Sequence, residues 1–377
     1  MGLVCIHLIF LVDMHFVFVS YNYSADCATP EAWIDRIKIY RGSLEYLSKN
    51  HTVTRVEQIN YEGDLLHDGI RYYFTNFPKK TYFPWQLNRF VKQLDPDIVM
   101  VSGLHYPLQV IQLRLMLGSN VKIIAQNHAE KPFKGLKKYL QKLADRCIDA
   151  YLFASREMGI EWVKNGNLAS AGKIHEVMEV SSVFSPMDKA AAIAKTGVKG
   201  NPAFLWVGRL NVNKDPLTVI KAFLRYVESN LAARLYMIYH TDELLPQINE
   251  LLVNSPQKNA ITLIGKIPHG DLEYWFNSAD IILSGSHYEG SGTAICEAMS
   301  CGCMPVVTDI SSFRMITDDG KCGLLYQPGN EKGLLAALNQ TLVMDIAEKQ
   351  KLSREYFRSN LSFEAIAHRI QEIAASL

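Results

Sequence analysis

The chain has 377 residues, 48% hydrophobic and 20% charged, with 39 Lys and Arg against 38 Asp and Glu. Domains usually hold about 100–200 residues, so this length implies two cores, and the apolar content excludes a disordered or fibrous chain. A net charge of +1 removes any global electrostatic reason to bind nucleic acid.

The N-terminus is apolar, but Asp13 and His15 interrupt the run before Ser20, and no basic segment precedes it. It makes a poor signal peptide and is too short to span a bilayer. Residues 14–20 read as a buried first strand, with 1–13 as an upstream extension or a misassigned start. Beyond them, short apolar runs alternate with longer amphipathic ones, the pattern of βα units on a mostly parallel sheet.

Strands are predicted over 14–20, 51–58, 98–103, 121–126 and 150–155. Helices begin at Thr29-Pro30 and cover 84–94 and 107–117, each with a proline at its start. The second half repeats the alternation: strand 203–207, helix 216–230, strand 235–239, helix 242–254, strand 260–264, helix 270–278, strand 280–284, helix 293–300 and strand 304–308. Asp215-Pro216 is a helix start with a side-chain acceptor followed by a residue that has no amide to satisfy. Asp188–Asn201 is small and polar and reads as an interdomain linker. The domains are therefore placed at 1–187 and 202–361, with 362–377 as a closing amphipathic helix capped by Ser362. Two doubly wound α/β domains imply a ligand cleft between them.

Seven cysteines are odd in number and scattered, and Cys301-Gly-Cys303 has no second pair at zinc-ligand spacing. Reduced thiols in a cytoplasmic protein are expected, and four Asn-X-Ser/Thr sequences, at 22, 50, 339 and 360, are read as chance matches.

Two segments carry chemistry. In Phe204-Leu-Trp-Val-Gly-Arg-Leu-Asn-Val-Asn-Lys-Asp-Pro216 a buried strand ends at Gly208, with Arg209 and Lys214 on the loop beyond it. Two cations at a strand's carboxyl end suit a diphosphate, although a solvated basic loop has the same residues. In Ile281–Gly302 a strand runs into a glycine-bearing turn and then a helix. The amides of Ser291, Gly292, Thr293 and Ala294 would form a phosphate or sugar-oxygen cradle at that helix start. Glu289 precedes the turn, and Glu297 lies about one helical turn after Thr293. Paired carboxylates also raise a glycosidase couple, but hydrogen bonding to sugar and ribose hydroxyls fits their position better; an exposed helix surface is the bland reading of Glu297.

These segments resemble the retaining glycosyltransferases of family 4, which have the GT-B fold. "VGRL…KDPLTVIKAF" is similar to that family's first C-domain strand, phosphate loop and helix. "ITLIGKIPHGDLEYWFNSADIILSGSHYEGSGTAICEAMSCGCMPVVTD" resembles its central signature, with two glutamates eight residues apart, and "LSFEAIAHRIQEI" its closing helix, which in that fold crosses back to the N-domain. The resemblance implies that Arg209 and Lys214 bind the donor diphosphate and Glu297 the ribose hydroxyls. Glu289, with the backbone of Gly290, Ser291 and Gly292, would hold the donor sugar, and main chain near Lys266–Ile267 would meet the base. Ile123-Ile-Ala-Gln-Asn-His128 ends a strand where the family often carries a histidine, making His128 the catalytic candidate ahead of His105; a core or capping histidine is the alternative.

Some positions depart from the family pattern. Tyr21–Asp26, Tyr239–Asp242 and Ser311–Arg314 stand where it usually has a glycine pair, a glycine-rich turn and a Pro-Glu. The expected activity is metal-independent sugar transfer from a nucleotide-diphosphate sugar to a hydroxyl acceptor, with retention and without a cofactor. A non-catalytic GT-B subunit and a nucleotide-sugar epimerase are the alternatives. Asp95-Pro-Asp97 resembles a metal-binding DxD but has the context of a turn. Lys131–Arg146 carries six basic residues, with Phe133, Leu136, Leu140 and Leu143 on an apolar face. It reads either as a surface helix packed on the sheet or as a peripheral contact with anionic lipid at the inner face of a membrane.

Overall fold

The structure, a computed structural model, describes residues 13–77 and 83–377, so the expectation placed on the extreme N-terminus lies, up to residue 12, outside the described residues. The chain divides into two compact units, Met1–Val177 with Ala367–Leu377, and Met178–Ile366.

The first unit is built on eight strands: β1 (His15–Ser24), β2 (Thr52–Ile59), β3 (Gly63–His67), β4 (Ile70–Thr75), β5 (Ile98–Ser102), β6 (Lys122–Gln126), β7 (Ala150–Phe153) and β8 (Ile174–Glu176). Their order is β3-β4-β2-β1-β5-β6-β7-β8, and only β3 and β4 run antiparallel. β1 sits inside the sheet because both of its faces are apolar: Phe16, Val17 and Val19 are fully buried. Thr29 caps the first helix by accepting the Ala32 amide at 3.2 Å, and Pro30 follows it, as the sequence predicts.

The β3–β4 hairpin is absent from the sequence reading. It turns on Asp68-Gly69, both with positive φ (50° and 78°), the two-residue Asp-Gly turn that matches the twist of paired strands. Strand β3 buries little, and β8 has only three residues, so neither shows a periodic pattern. Asp97, one half of the DxD look-alike, accepts the His15 amide at 2.7 Å and so tethers the start of β1.

The second unit has six parallel strands: β9 (Ala203–Gly208), β10 (Arg234–Tyr239), β11 (Ile261–Gly265), β12 (Ile281–Leu283), β13 (Met304–Thr308) and β14 (Leu324–Tyr326). Their order is β11-β10-β9-β12-β13-β14. Its core gathers Phe204, Trp206, Phe223 and Tyr226, all nearly inaccessible. The strand order reverses between β9 and β12, so the loops leaving these neighbours diverge and open a crevice at their carboxyl ends. Arg209 and Lys214 leave β9 there, and the glycine-bearing turn leaves β12.

The segment read as a linker contains a helix, Lys189–Thr196, and the division between units falls before it. Asp188 accepts the Ala191 amide at 2.8 Å, Gly197 ends the helix at φ 69°, and Thr196 meets the Ser278 hydroxyl at 2.8 Å. Alanine is the best helix former, a property that a reading of the segment as small and polar hides. The closing helix, Phe363–Ser376, is capped as expected by Ser362, which accepts the Ala365 amide at 3.2 Å.

Among the described residues no helix is long and apolar enough to cross a membrane. The described cysteines are unpaired, and burial pushes the thiols of Cys296 and Cys301 up to about 12.

Candidate functional site

The loop after β9 is anchored to the turn after β12 at several points. The Asn213 carbonyl accepts the His287 amide at 2.8 Å, and the Asn213 side chain donates to the Tyr288 carbonyl at 3.0 Å. Asp215 takes a left-handed conformation (φ 41°) that lets its carboxylate accept the Thr218 amide at 3.2 Å, and its second oxygen lies 3.3 Å from His287 Nε2. A β-carbon on Gly285 would stand 2.8 Å from the Asp215 carbonyl oxygen and 3.1 Å from that of Lys214. Glycine is required there by the close approach of two backbones. Gly285→Val is expected to push the cation loop away from β12, destabilising the unit by about 1–3 kcal/mol; calorimetry of the variant checks this.

This docking brings two site residues into direct contact. The Lys214 ammonium donates to the Glu289 carboxylate, which also accepts the Ser286 hydroxyl at 2.6 Å. The lysine and glutamate side chains are 26% and 14% exposed, so the pair is partly withdrawn from water while its rim stays open to a ligand. Charge-assisted bonds of this kind are stronger than neutral ones. Arg209 lies exposed on the same loop.

Beyond Glu289 the chain passes Gly290 and Ser291, whose hydroxyl donates to Glu179, and reaches Gly292 at φ 56°. A β-carbon on Gly292 would meet the Phe313 ring at 2.8 Å. Gly292 begins the helix Thr293–Cys301 without a side-chain cap, so the first-turn amides of Thr293 and Ala294 keep their donors for an anion or a sugar oxygen.

Glu297 lies one turn into this helix and is almost wholly buried, with its Oε1 2.7 Å from His269 Nε2. His269 belongs to a short 3-10 turn, His269–Asp271, that follows β11, and its ring packs on Phe184 with centroids 5.0 Å apart. Exposed Lys266 and half-buried Ile267 lie between β11 and that turn. His269 is missed in the sequence; its only signal is its place just beyond the Lys266–Ile267 segment.

His128 stands in the first unit, exposed, at the carboxyl end of β6. Its amide donates to Glu130 Oε2 at 2.5 Å, and its ring faces Tyr40 edge-on with centroids 6.4 Å apart. Glu130 is a second residue the sequence reading passes over. This buried carboxylate also accepts the Leu104 amide at 2.7 Å and the Asn127 side chain at 2.8 Å, so one acid binds the loops after β5 and β6 together. Burial pushes the Glu57 carboxyl up, with Arg55 and His128 pulling it the other way. His105 is half exposed, 3.9 Å from Glu130 and 3.5 Å from Lys137. Among the described residues no three His, Cys, Asp or Glu side chains are placed to hold a metal.

Residues 188–359 match the family described as Glycosyl transferases group 1. The chain is similar to the O-antigen chain mannosyltransferase B of Escherichia coli, 26% identical over 165 residues, covering 43% of this chain and 42% of that protein. It spans less than half the length of the first curated relatives it matches. Among solved structures, a glycosyltransferase from Rickettsia africae superposes with a TM-score of 0.72 at 18% identity, over 97% of this chain and 98% of that one. An Anabaena protein solved with UDP and glucose gives 0.68 at 16% identity, over 97% and 100%. Residues 188–359 thus resemble the Glycosyl transferases group 1 family, and the two parallel-sheet, Rossmann-like units of this chain have the GT-B fold.

Proposed function

We propose that this chain transfers a sugar from a nucleoside-diphosphate donor to a hydroxyl acceptor, with retention at the anomeric carbon. The observation that carries the reading is the convergence, at the strand-order reversal of a glycosyltransferase domain, of the Lys214–Glu289 pair with an uncapped helix start. As the bond between the anomeric carbon and the diphosphate oxygen breaks, negative charge builds on the leaving group. Arg209, Lys214 and the amides of Thr293 and Ala294 stabilise that charge without a metal. Glu289 and the backbone of Gly290–Gly292 hold the sugar hydroxyls, Glu297 takes the ribose hydroxyls, and main chain at Lys266–Ile267 meets the base. His128 orients the oxocarbenium-like sugar. No side chain here is assigned as a covalent nucleophile. The acceptor oxygen forms the new bond on the face the diphosphate leaves, and a leaving-phosphate oxygen takes its proton.

The Anabaena protein was solved with UDP and glucose, which makes UDP-sugars the first donors to try. The test is incubation with a panel of UDP-, GDP- and ADP-sugars, following nucleoside diphosphate release, sugar identity and thermal shift. Slow donor hydrolysis with base-selective stabilisation is expected, and Arg209→Ala should weaken it. Absence of binding to every nucleotide overturns the reading. Binding without turnover, in the presence of hydroxyl acceptors, points to a non-catalytic subunit, and a changed sugar without transfer to an epimerase.

A further inference from the structure

The basic helix of the first unit differs from its sequence reading in which side chains it turns outward. The helix spans Gly135–Ala144. Its buried seam is Gln141 and Ala144, with the Gln141 amide 3.4 Å from the Tyr151 hydroxyl. Phe133, assigned to the apolar face, instead packs edge-on against Trp162 at 4.9 Å, and Lys137 lies over its ring at 4.1 Å. Burial lowers the Lys137 pKa, and its ammonium also lies 3.5 Å from His105 Nδ1.

The opposite face carries Leu136, Tyr139 and Leu143, spaced by three and four residues and 83%, 67% and 51% exposed. Three large apolar side chains on the outer pole of one helix are unusual on a surface that only meets water. Cations surround them: Lys134, Lys142 and Arg146 are exposed and Lys138 is half-buried. No Asp or Glu occurs from Lys131 to Ala144, and the next acid, Asp145, is buried, accepting the Ala169 amide at 3.0 Å. The helix Pro107–Leu117, which packs beside it, is also without acids and exposes Leu115 to 80%.

We propose that this face docks on an anionic lipid surface. An apolar ridge rimmed by positive charge and lacking negative charge fits a bilayer interface: leucine and tyrosine enter the headgroup boundary while the cations meet lipid phosphates. Another protein surface could match the ridge, but the lack of acids along this helix and along the helix Pro107–Leu117 beside it fits a sheet of negative headgroups better than a mosaic partner. The contact is peripheral, since the helix is short and lies flat. The inference stands independently of sugar transfer, whose proposed phosphate-binding groups lie in the other unit and whose first-unit residue, His128, lies outside this helix.

Co-sedimentation with phosphatidylcholine vesicles, with and without phosphatidylglycerol, tests it on the full chain. Binding only to the phosphatidylglycerol vesicles, weakened by salt, is expected. Leu136→Ser/Leu143→Ser and Lys138→Glu/Lys142→Glu should each reduce it by on the order of tenfold or more, with unchanged circular dichroism and donor hydrolysis. Lys195→Glu/Lys332→Glu, the same charge change on exposed lysines of the second unit, should leave it intact. Equal binding by all variants, or none by the parent chain, overturns the proposal. So does a dimer in light scattering that Leu136→Ser/Leu143→Ser converts to monomer without any vesicle binding, since a second copy would then own the face.

Discussion

Lys214→Ala will weaken nucleotide-sugar binding by roughly 10–100-fold and lower the melting temperature, and adding Glu289→Gln will recover the second loss without the first. The two effects separate because Lys214 has two partners of different kinds. Towards the protein it neutralises Glu289, whose side chain is 14% exposed and whose other close partner is the Ser286 hydroxyl. Removing the ammonium strands a partly buried carboxylate, at a cost of about 1–3 kcal/mol, or roughly 2–4 °C per kcal/mol for a unit of this size. A neutral amide at 289 has far less to lose, so stability returns. In the proposed function the ammonium is also a point charge for the donor diphosphate, so an ionic hydrogen bond of about 1.5–3 kcal/mol disappears whatever stands at 289. Thermal melts and donor titrations on the parent, both single variants and the double variant form the cycle. If the double variant regains donor affinity, Lys214 acts only as a structural counter-charge.

The second large effect concerns Glu297 and is asymmetric. His269→Ala is expected to cost more stability than Glu297→Gln, by about 1–2 kcal/mol, while Glu297→Gln costs more donor affinity. Glu297 is 4% exposed at the side chain and His269 36%. Loss of the imidazole leaves a buried carboxyl group with one partner fewer, whereas Glu297→Gln leaves a histidine that water can reach. Glutamine keeps the shape but cannot accept with both of its polar atoms from the two ribose hydroxyls that the proposed function gives to Glu297. An equal loss of affinity in both variants, with no difference in melting, would remove the distinction between a positioning histidine and a binding glutamate.

Legibility in the sequence followed physical scale. The central strands were readable because burial on both faces makes them uniformly apolar, as in β1, β9 and β13. Helix starts with a Thr-Pro or Asp-Pro signature also stood where expected, at Thr29 and Asp215. Short or half-exposed strands, β3, β8 and β14, fall below the length at which a period can be seen. The helix Lys189–Thr196 was hidden by composition, since alanine serves linkers and helices alike. At the site, residues on a strand-loop-helix signature were visible, but partners drawn from elsewhere were not. His269 reaches Glu297 across 28 positions, and Glu130 holds the loop at Leu104 across 26. Such pairings arise only after the sheet has brought distant loops together. Of the apolar face read over Lys131–Arg146, Phe133 alone was misplaced, for a related reason: it precedes the helix Gly135–Ala144, and tertiary packing on Trp162 turns it away from the exposed Leu136 and Leu143.

The adjacency of β9 and β12 also bears on how the second unit is made. Lys214 leaves the ribosome 75 residues before Glu289, and strands β10, β11 and β12 with the helices Pro216–Tyr226, Leu245–Val253 and Leu272–Ser278 lie between them in the chain. The neighbours that define the crevice can therefore pair only after β10 and β11 have been made, and closing so long a loop is slow compared with local helix formation. A nascent chain ending before β12 carries the cation loop with neither its backbone anchors at His287 and Tyr288 nor its counter-charge. The proposed donor site should thus emerge late in the synthesis of this unit, only once β12 and the turn and helix start that follow it have been made.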